Sequence, residues 1–395
     1  MHTSESARWL EYISIYNKTT KCKLILKYTH FIISVIIVHC FRSFRSGLIS
    51  LQMGTSLKNQ FLLILASNNK EQYKNLPNGI PHFFTKLLVI YIQNAQPHHI
   101  YHKVEGIEFN VCNLKVIDIR IIFRSCIFNN TNLYGAGYKT SLYLFNSTFI
   151  MQGKSPNYLV NFVNCTKVVL NSFKILDVII PENSHMFFFK NIGSICIQNS
   201  LARNIEGSFL LVVKSGTVTL KNISAFHSNQ NKGNFDSNEA FLKYYHVQSV
   251  SISGSVFKQI RGSVGIIKNC NIVQLNNTIF INVTSILGVL SFTTTQSSFL
   301  LQTYNCQFVS CWCTEKAGAI HFYDHTIHSV LMSAKMTQPR NILISIRGSL
   351  FLNCSSQKNA GTVSLNTKPR LHFVQRQVAA EFNSCVFSSN KAQII

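Results

Sequence analysis

From about residue 101 onward, apolar and polar positions alternate in runs of four to six residues, and the runs end in Asn, Ser or Gly. Val168-Val-Leu170, Ser194-Ile-Cys-Ile197, Thr217-Val-Thr-Leu220, Ser249-Val-Ser-Ile252 and Ile272-Val-Gln-Leu275 all show it. A period of two places one side of a short strand in a core and the other outside. The Asn, Ser and Gly that follow are the residues that most readily turn the chain near the left-handed region. Between these runs a phrase returns: a small polar triplet, then Phe, then a turn. It reads Arg124-Ser-Cys-Ile-Phe128, Asn146-Ser-Thr-Phe149, Asn171-Ser-Phe173, Gly254-Ser-Val-Phe257, Asn276-Asn-Thr-Ile-Phe280, Asn305-Cys-Gln-Phe308, Gly348-Ser-Leu-Phe351 and Asn383-Ser-Cys-Val-Phe387. With Leu201 standing in and Phe226 included, the anchors fall 21 to 31 residues apart as far as Phe308, then more widely.

A unit of about 24 residues cannot bury its apolar side alone, but it can when stacked on copies of itself. Strand and bend repeated at the interstrand spacing of about 4.8 Å make a parallel β-helix. The expected fold is therefore all-β: a right-handed parallel β-helix over residues 101–395, preceded by an irregular mixed section at 1–100. A tandem helical array fits poorly, because β-branched residues, Phe and Asn dominate. A β-sandwich fits the even spacing poorly.

Three stretches add a glycine near a strand start: Gly135-Ala-Gly137, Ala317-Gly-Ala-Ile320 and Ala360-Gly-Thr-Val363. With the Phe phrase, as in Phe308-Val-Ser-Cys311, Phe351-Leu-Asn-Cys354 and Phe387-Ser-Ser-Asn390, the chain resembles the polymorphic outer-membrane protein repeats of chlamydiae and their trichomonad relatives. That family pairs Phe-x-x-Asn with Gly-Gly-Ala-Ile on each turn. Here Ala replaces the first Gly, and Cys often replaces Asn. The resemblance covers about residues 101–395 and implies an adhesin-like, non-catalytic role at a cell surface.

The charge is strongly positive, 37 Lys and Arg against 14 Asp and Glu, with 26 of the basic residues spread through 101–395. An evenly charged solenoid accounts for this; a basic strip facing an acidic polysaccharide or membrane is the sharper reading. No nucleic-acid-binding motif occurs, so nucleic acid is disfavoured as a partner, leaving a protein or a glycan. Of the twelve Cys most follow the repeat, among them Cys126, Cys306 and Cys385 beside the anchors and Cys311 and Cys354 three residues after them. A stacked column of buried free thiols is expected, with disulfides between rungs the alternative in a secreted chain.

An apolar stretch at 31–38, inside a window at 24–41 and preceded by Lys18, Lys21, Lys23 and Lys27, reads either as a targeting or membrane-anchor segment or as core of the N-terminal section. Sequons at Asn17, Asn129, Asn146, Asn164, Asn222, Asn276, Asn282 and Asn353 would be N-glycosylation acceptors outside the cell. The chain stops just after the Phe387 phrase, so an open last rung available for end-to-end pairing is expected.

Carbohydrate-cleaving β-helices need converging carboxylates. The 11 acids of 101–395 share no register, and the closest pair, Asp236 and Glu239, sits in a polar loop. No catalytic residue and no cofactor is expected. Cys311, Cys313, His321 and His325 (with His328 beyond) are the weak candidates for metal ligands. The insertion at about 323–340 is the expected binding protrusion.

Overall fold

The computed structural model describes the backbone of strands at 10–16, 21–29, 32–34, 46–52, 60–67, 88–94, 101–105, 108–110 and 112–117. It then describes 120–151, 159–180, 184–228, 240–296, 298–324, 340–366 and 376–392. No helix occurs among the described residues, and none is long and apolar enough to cross a membrane. The contacts divide the chain into two compact units, residues 1–152 with 159–173, and residues 153–158 with 174–395.

The first unit begins antiparallel. Lys21–Thr29 pairs with Leu10–Tyr16 and Ile32–Ser34, so much of the 24–41 window is β-strand. Ser46–Gln52, Gln60–Ser67 and Leu88–Asn94 form an antiparallel run. Leu88–Asn94 then accepts Cys112–Ile117 on its other edge in parallel, and the repeat starts there. Further parallel pairing joins Tyr101–Glu105, Arg120–Arg124, Ser141–Phe145 and Lys167–Asn171.

The second unit is a parallel β-helix with three faces. The first face stacks Thr217–Lys221, Ser249–Ser253, Ile272–Asn276, Ser298–Tyr304 and Arg340–Arg347. The second stacks Val256–Lys258, Ile279–Ile281, Gln307–Val309, Leu350–Leu352 and Val386–Ser388. The third stacks His185–Lys190, Ser208–Val213, Ala240–Tyr245, Ser263–Lys268, Leu290–Thr294 and Ile320–Asp324. The alternating runs read from the sequence are the first face, with Val218, Leu220, Val250, Ile252, Val273 and Leu275 buried.

The anchor register follows one rule. The bend between the first and second faces holds a residue at positive φ, and the anchor is the third residue after it. Ser125, Asn146, Gly254, Asn277, Asn305, Gly348 and Ser384 are such bends, and Phe128, Phe149, Phe257, Phe280, Phe308, Phe351 and Phe387 are their anchors. Rings on successive rungs stack nearly parallel: Phe128 on Phe149 at 4.9 Å in the first unit, and Phe257, Phe280, Phe308, Phe351 and Phe387 at 4.7–5.5 Å in the second.

Three expected anchors fall elsewhere. Phe173 is buried, yet it directly follows its bend residue Ser172, and Ile175 takes the anchor position. Leu201 and Phe226 lie one place off the column: Ala202 pairs with Ile175 and with Ala225, and Ala225 with Phe257. Packing density explains the exchange, because space left on one face must be filled from another. Where the anchor is Ala202 or Ala225, the third face of the same rung supplies Phe209 or Phe241, stacked at 4.8 Å. Where the anchor is Phe257, Phe280 or Phe308, the third face supplies Val264, Val289 or Ala319, all buried.

The glycine motifs also have a steric cause. A Cβ on Gly318 would lie 2.4 Å from the Gly361 carbonyl oxygen, and one on Gly361 would lie 2.6 Å from that of Lys391. Backbones approach there too closely for a side chain. Gly135-Ala-Gly137 is different: Gly135 is inside the strand Asn132–Ala136, not at its start, and pairs with Phe162, whose ring fills the missing side-chain volume.

Candidate functional site

Bends generate most of the candidate residues. Among the described non-Gly residues at positive φ, twelve of twenty-two are Asn. At many bends the next residue is a Ser, Thr or Cys whose side chain closes the turn. Ser147, Ser200, Ser255, Thr278 and Ser349 donate to the carbonyl two residues back at 2.6–3.1 Å. Cys126, Cys306 and Cys385 make the same contact at 3.4–3.6 Å. The serine hydroxyls also accept from the rung before: Cys126 N–H donates to Ser147 Oγ and Cys306 N–H to Ser349 Oγ, each at 3.2 Å. Cysteine thus substitutes for Ser and Thr at a bend.

The nine cysteines among the described residues are free, as expected, but they do not form one column. Ser349 separates Cys306 from Cys385. Only Cys311 and Cys354 follow one another directly, since their bends Ser310 and Asn353 are successive. Burial pushes the Cys306 thiol up to about 11 and Cys270 to about 12.

The three described metal candidates, Cys311, Cys313 and His321, form no metal-holding group. No group of three or more His, Cys, Asp or Glu able to hold a metal is found among the described residues. Cys311 Sγ lies 3.5 Å from the Val309 carbonyl oxygen, and Cys313 Sγ lies 2.6 Å from that of Ile286. His321 is on the third face, 6% exposed, with Nδ1 lacking a partner. Burial, then the nearby Lys316 charge, lowers its pKa to about 4. His325, His328 and the other residues of the expected protrusion between Asp324 and Arg340 lie outside the described residues, as do Asp236, Glu239 and Asn17.

Of the other sequons, Asn146, Asn222, Asn282 and Asn353 are exposed at bends with φ of 48–54°. Asn164 is a half-buried bend, and Asn129 and Asn276 are half-buried at strand ends. A bend Asn, a small buried residue and a Ser or Thr opening the next strand together spell a sequon, so the fold itself writes several of them. The last described rung is more open than the others: Phe387 is 47% exposed, while Phe280, Phe308 and Phe351 are fully buried.

What remains at the surface is a set of ladders in register. The outward positions of the first face include Thr217, Thr219, Ser249, Ser251, Gln274 and Gln302, with Gln274 Nε2 donating to Gln302 Oε1 at 3.0 Å. No Asp or Glu occupies the first-face strands from Thr217 to Arg347. Asn222 Nδ2 donates to Asn199 Oδ1 at 3.0 Å, and Asn204 Nδ2 to Asp177 Oδ1 at 2.7 Å. The fold and these surfaces define a parallel β-helix that displays polar side chains at the strand spacing. Comparison with family models, with curated proteins and with solved structures finds no match.

Proposed function

We propose that the chain is a non-catalytic recognition protein, adhesin-like, whose β-helix presents ordered polar ladders to a glycan or protein partner at the outside of the cell. The observation that carries this reading is the first face of the second unit. From Thr217 to Gln302 its hydroxyls and amides stand in register without a carboxylate among them; the next positions of that column are Ser345 and Glu381, and Glu381 is paired with Arg347. Glycoside cleavage by a β-helix requires two carboxyl groups about 5–10 Å apart. Regularly spaced hydrogen-bonding groups on a fixed backbone suit binding instead, because little side-chain freedom is lost when a partner docks. The resemblance of residues 308–320 and 351–363 to the polymorphic outer-membrane repeats supports the same role by analogy. The exposed bend residues Asn146, Asn222, Asn282 and Asn353 suit N-glycosylation in a secreted chain.

The test is to apply the purified chain to a panel of soluble glycans, following both retention and glycan length by size exclusion. Retention with unchanged length is expected. Shortened glycan, or new absorbance from an unsaturated uronate, would replace this reading with a polysaccharide hydrolase or lyase. An N-glycosidase mobility shift on native material checks the compartment; no shift, together with full protection from surface protease, would contradict it.

A further inference from the structure

Among the described residues of the second unit, Cys311 and Cys354 are thiols that hold the same position on adjoining rungs. Backbone pairing fixes their register on both sides: Val309 pairs with Leu352 and Trp312 with Ser355. Ser310 N–H donates to the Leu352 carbonyl, and Ser355 N–H to the carbonyl of Cys311 itself, each at 2.8 Å. In-register neighbours of a sheet lie about 4.8 Å apart, inside the Cα···Cα range of about 4.4–6.8 Å that a disulfide spans. Both side chains are fully buried. They also take equivalent directions: Cys311 Sγ lies 3.8 Å from the Phe280 carbonyl oxygen, and Cys354 Sγ lies 3.4 Å from that of Phe308, one rung on.

The column isolates this pair. Backbone hydrogen bonds trace the same position through Ser228, Ile260, Val283, Cys311 and Cys354, and Asn390 follows. Asn390 accepts from the Cys354 N–H at 2.7 Å and donates to the Phe351 carbonyl at 3.0 Å. Other cysteines meet hydroxyls instead: Cys126 and Cys306 face Ser147 and Ser349, and Cys313 pairs with Ser285 and Ser356. The two thiols also interact with each other. The Cys311 thiol donates towards the Cys354 sulfur and holds Cys354 below its ordinary pKa, while burial, then Cys354, pushes Cys311 up. The stretch between them is long for one turn, because it includes residues 325–339. Phe351 comes 43 positions after Phe308, whereas Phe308 comes 28 after Phe280.

We infer that Cys311 and Cys354 are a disulfide-forming site, which closes one turn of the β-helix, residues 311–354, into a covalent ring. The oxidant is a small-molecule disulfide such as glutathione disulfide. The Cys354 thiolate attacks one of its sulfurs and expels a glutathione thiolate; the Cys311 thiolate then attacks the mixed disulfide at the Cys354 sulfur and expels the second. The two cysteines give up two protons and two electrons, and the glutathione disulfide leaves as two thiols. Because both sulfurs are buried, the exchange takes place as these rungs stack or when they part. Closing a loop restrains the unfolded chain, more so for a longer loop, so the bond stabilises the turn that the long insertion interrupts. This site is additional to the recognition surface above and stands whether or not a glycan binds.

The test equilibrates the whole chain, both native and refolded from urea, in a buffer of glutathione and glutathione disulfide. Remaining thiols are then alkylated in urea, and linked peptides are identified by fragmentation mass spectrometry. Cys311 joined to Cys354 is expected as the predominant linkage in at least one of the two samples. The oxidised chain is expected to have a higher urea midpoint than the reduced chain, and Cys354→Ser and Cys311→Val are each expected to abolish that difference. Both variants place in the column a residue that it already carries, at Ser228 and Val283. Alkylation of both Cys311 and Cys354 in both samples would overturn the assignment. So would a predominant linkage to any other cysteine, or a midpoint shift that persists in both variants. Cleavage of a glycan would overturn the non-catalytic reading and leave this site standing.

Discussion

Where a Ser, Thr or Cys follows a bend, its heteroatom closes the turn. Its hydrogen goes to the carbonyl two residues back, and in Ser147, Ser215, Ser255 and Ser349 its oxygen also accepts an N–H from the preceding rung. Cys meets the first requirement and fills slightly more volume, and at Cys270, Cys306 and Cys311 burial raises the thiol pKa and keeps it protonated. Under native conditions at pH 8, alkylation mapped by peptide mass spectrometry should therefore label the half-exposed Cys196 and Cys385 well before Cys270, Cys306 and Cys311. Equal labelling of all five would mean that the bends are open. The buried imidazoles give a second check. His185 and His321 both have pKa values lowered to about 4 from 6.5, chiefly by burial. Between those values the unfolded chain binds protons that the folded chain refuses, so stability is full above about pH 6.5 and declines as pH falls towards 4. The urea midpoint should drop between pH 7.5 and 5.5, and His185→Gln/His321→Gln should flatten that drop; an unchanged slope in the double variant would contradict it. The sequence exposed the cysteine register readily. It could not show that Cys alternates with Ser, because that relation exists only between residues brought together by stacking.

At the level of the strand and its bend, alternation in Thr217–Leu220 or Ser249–Ile252 was enough to place whole strands, since one face of each is buried and period two is unambiguous. Anchors were harder. Asn171-Ser-Phe173 contains the right residue types, but the bend is at Ser172, so Phe173 arrives two places before the column position held by Ile175. Ala202 and Ala225 were invisible as anchors because their compensating partners, Phe209 and Phe241, come 7 and 16 residues later on another face. The glycine corner is a sharper test of the same packing. Gly318→Ala should destabilise the chain by about 1–3 kcal/mol through overpacking against the next rung, measured by urea denaturation; a change below about 0.5 kcal/mol would mean the corner can relax. The candidate metal ligands show the opposite limit: Cys311, Cys313 and His321 are near in sequence, yet the rung sends them to different faces.

For the second unit as a whole, stability is carried between neighbours, rung to rung, as in other repeat architectures. That is why outward positions can vary over a few rungs, as at Thr219, Ser251, Gln274 and Gln302, without changing the core columns beneath. The basic composition alone left open whether charge was spread evenly or gathered. The answer depends on which face each lysine meets, and period two with insertions of unequal length hides it. The column register is the claim on which both the fold and the proposed surface depend, and a double-mutant cycle on the Phe stack tests it most directly. Phe280→Ala should cost about 3–5 kcal/mol. Phe280 and Phe308, whose rings are 4.7 Å apart, should show a coupling of about 0.5–1.5 kcal/mol. Phe257 and Phe351, separated by two intervening rungs, should be additive. Additivity of Phe280 with Phe308, or a loss below about 1 kcal/mol for Phe280→Ala, would contradict the register and the surface built on it.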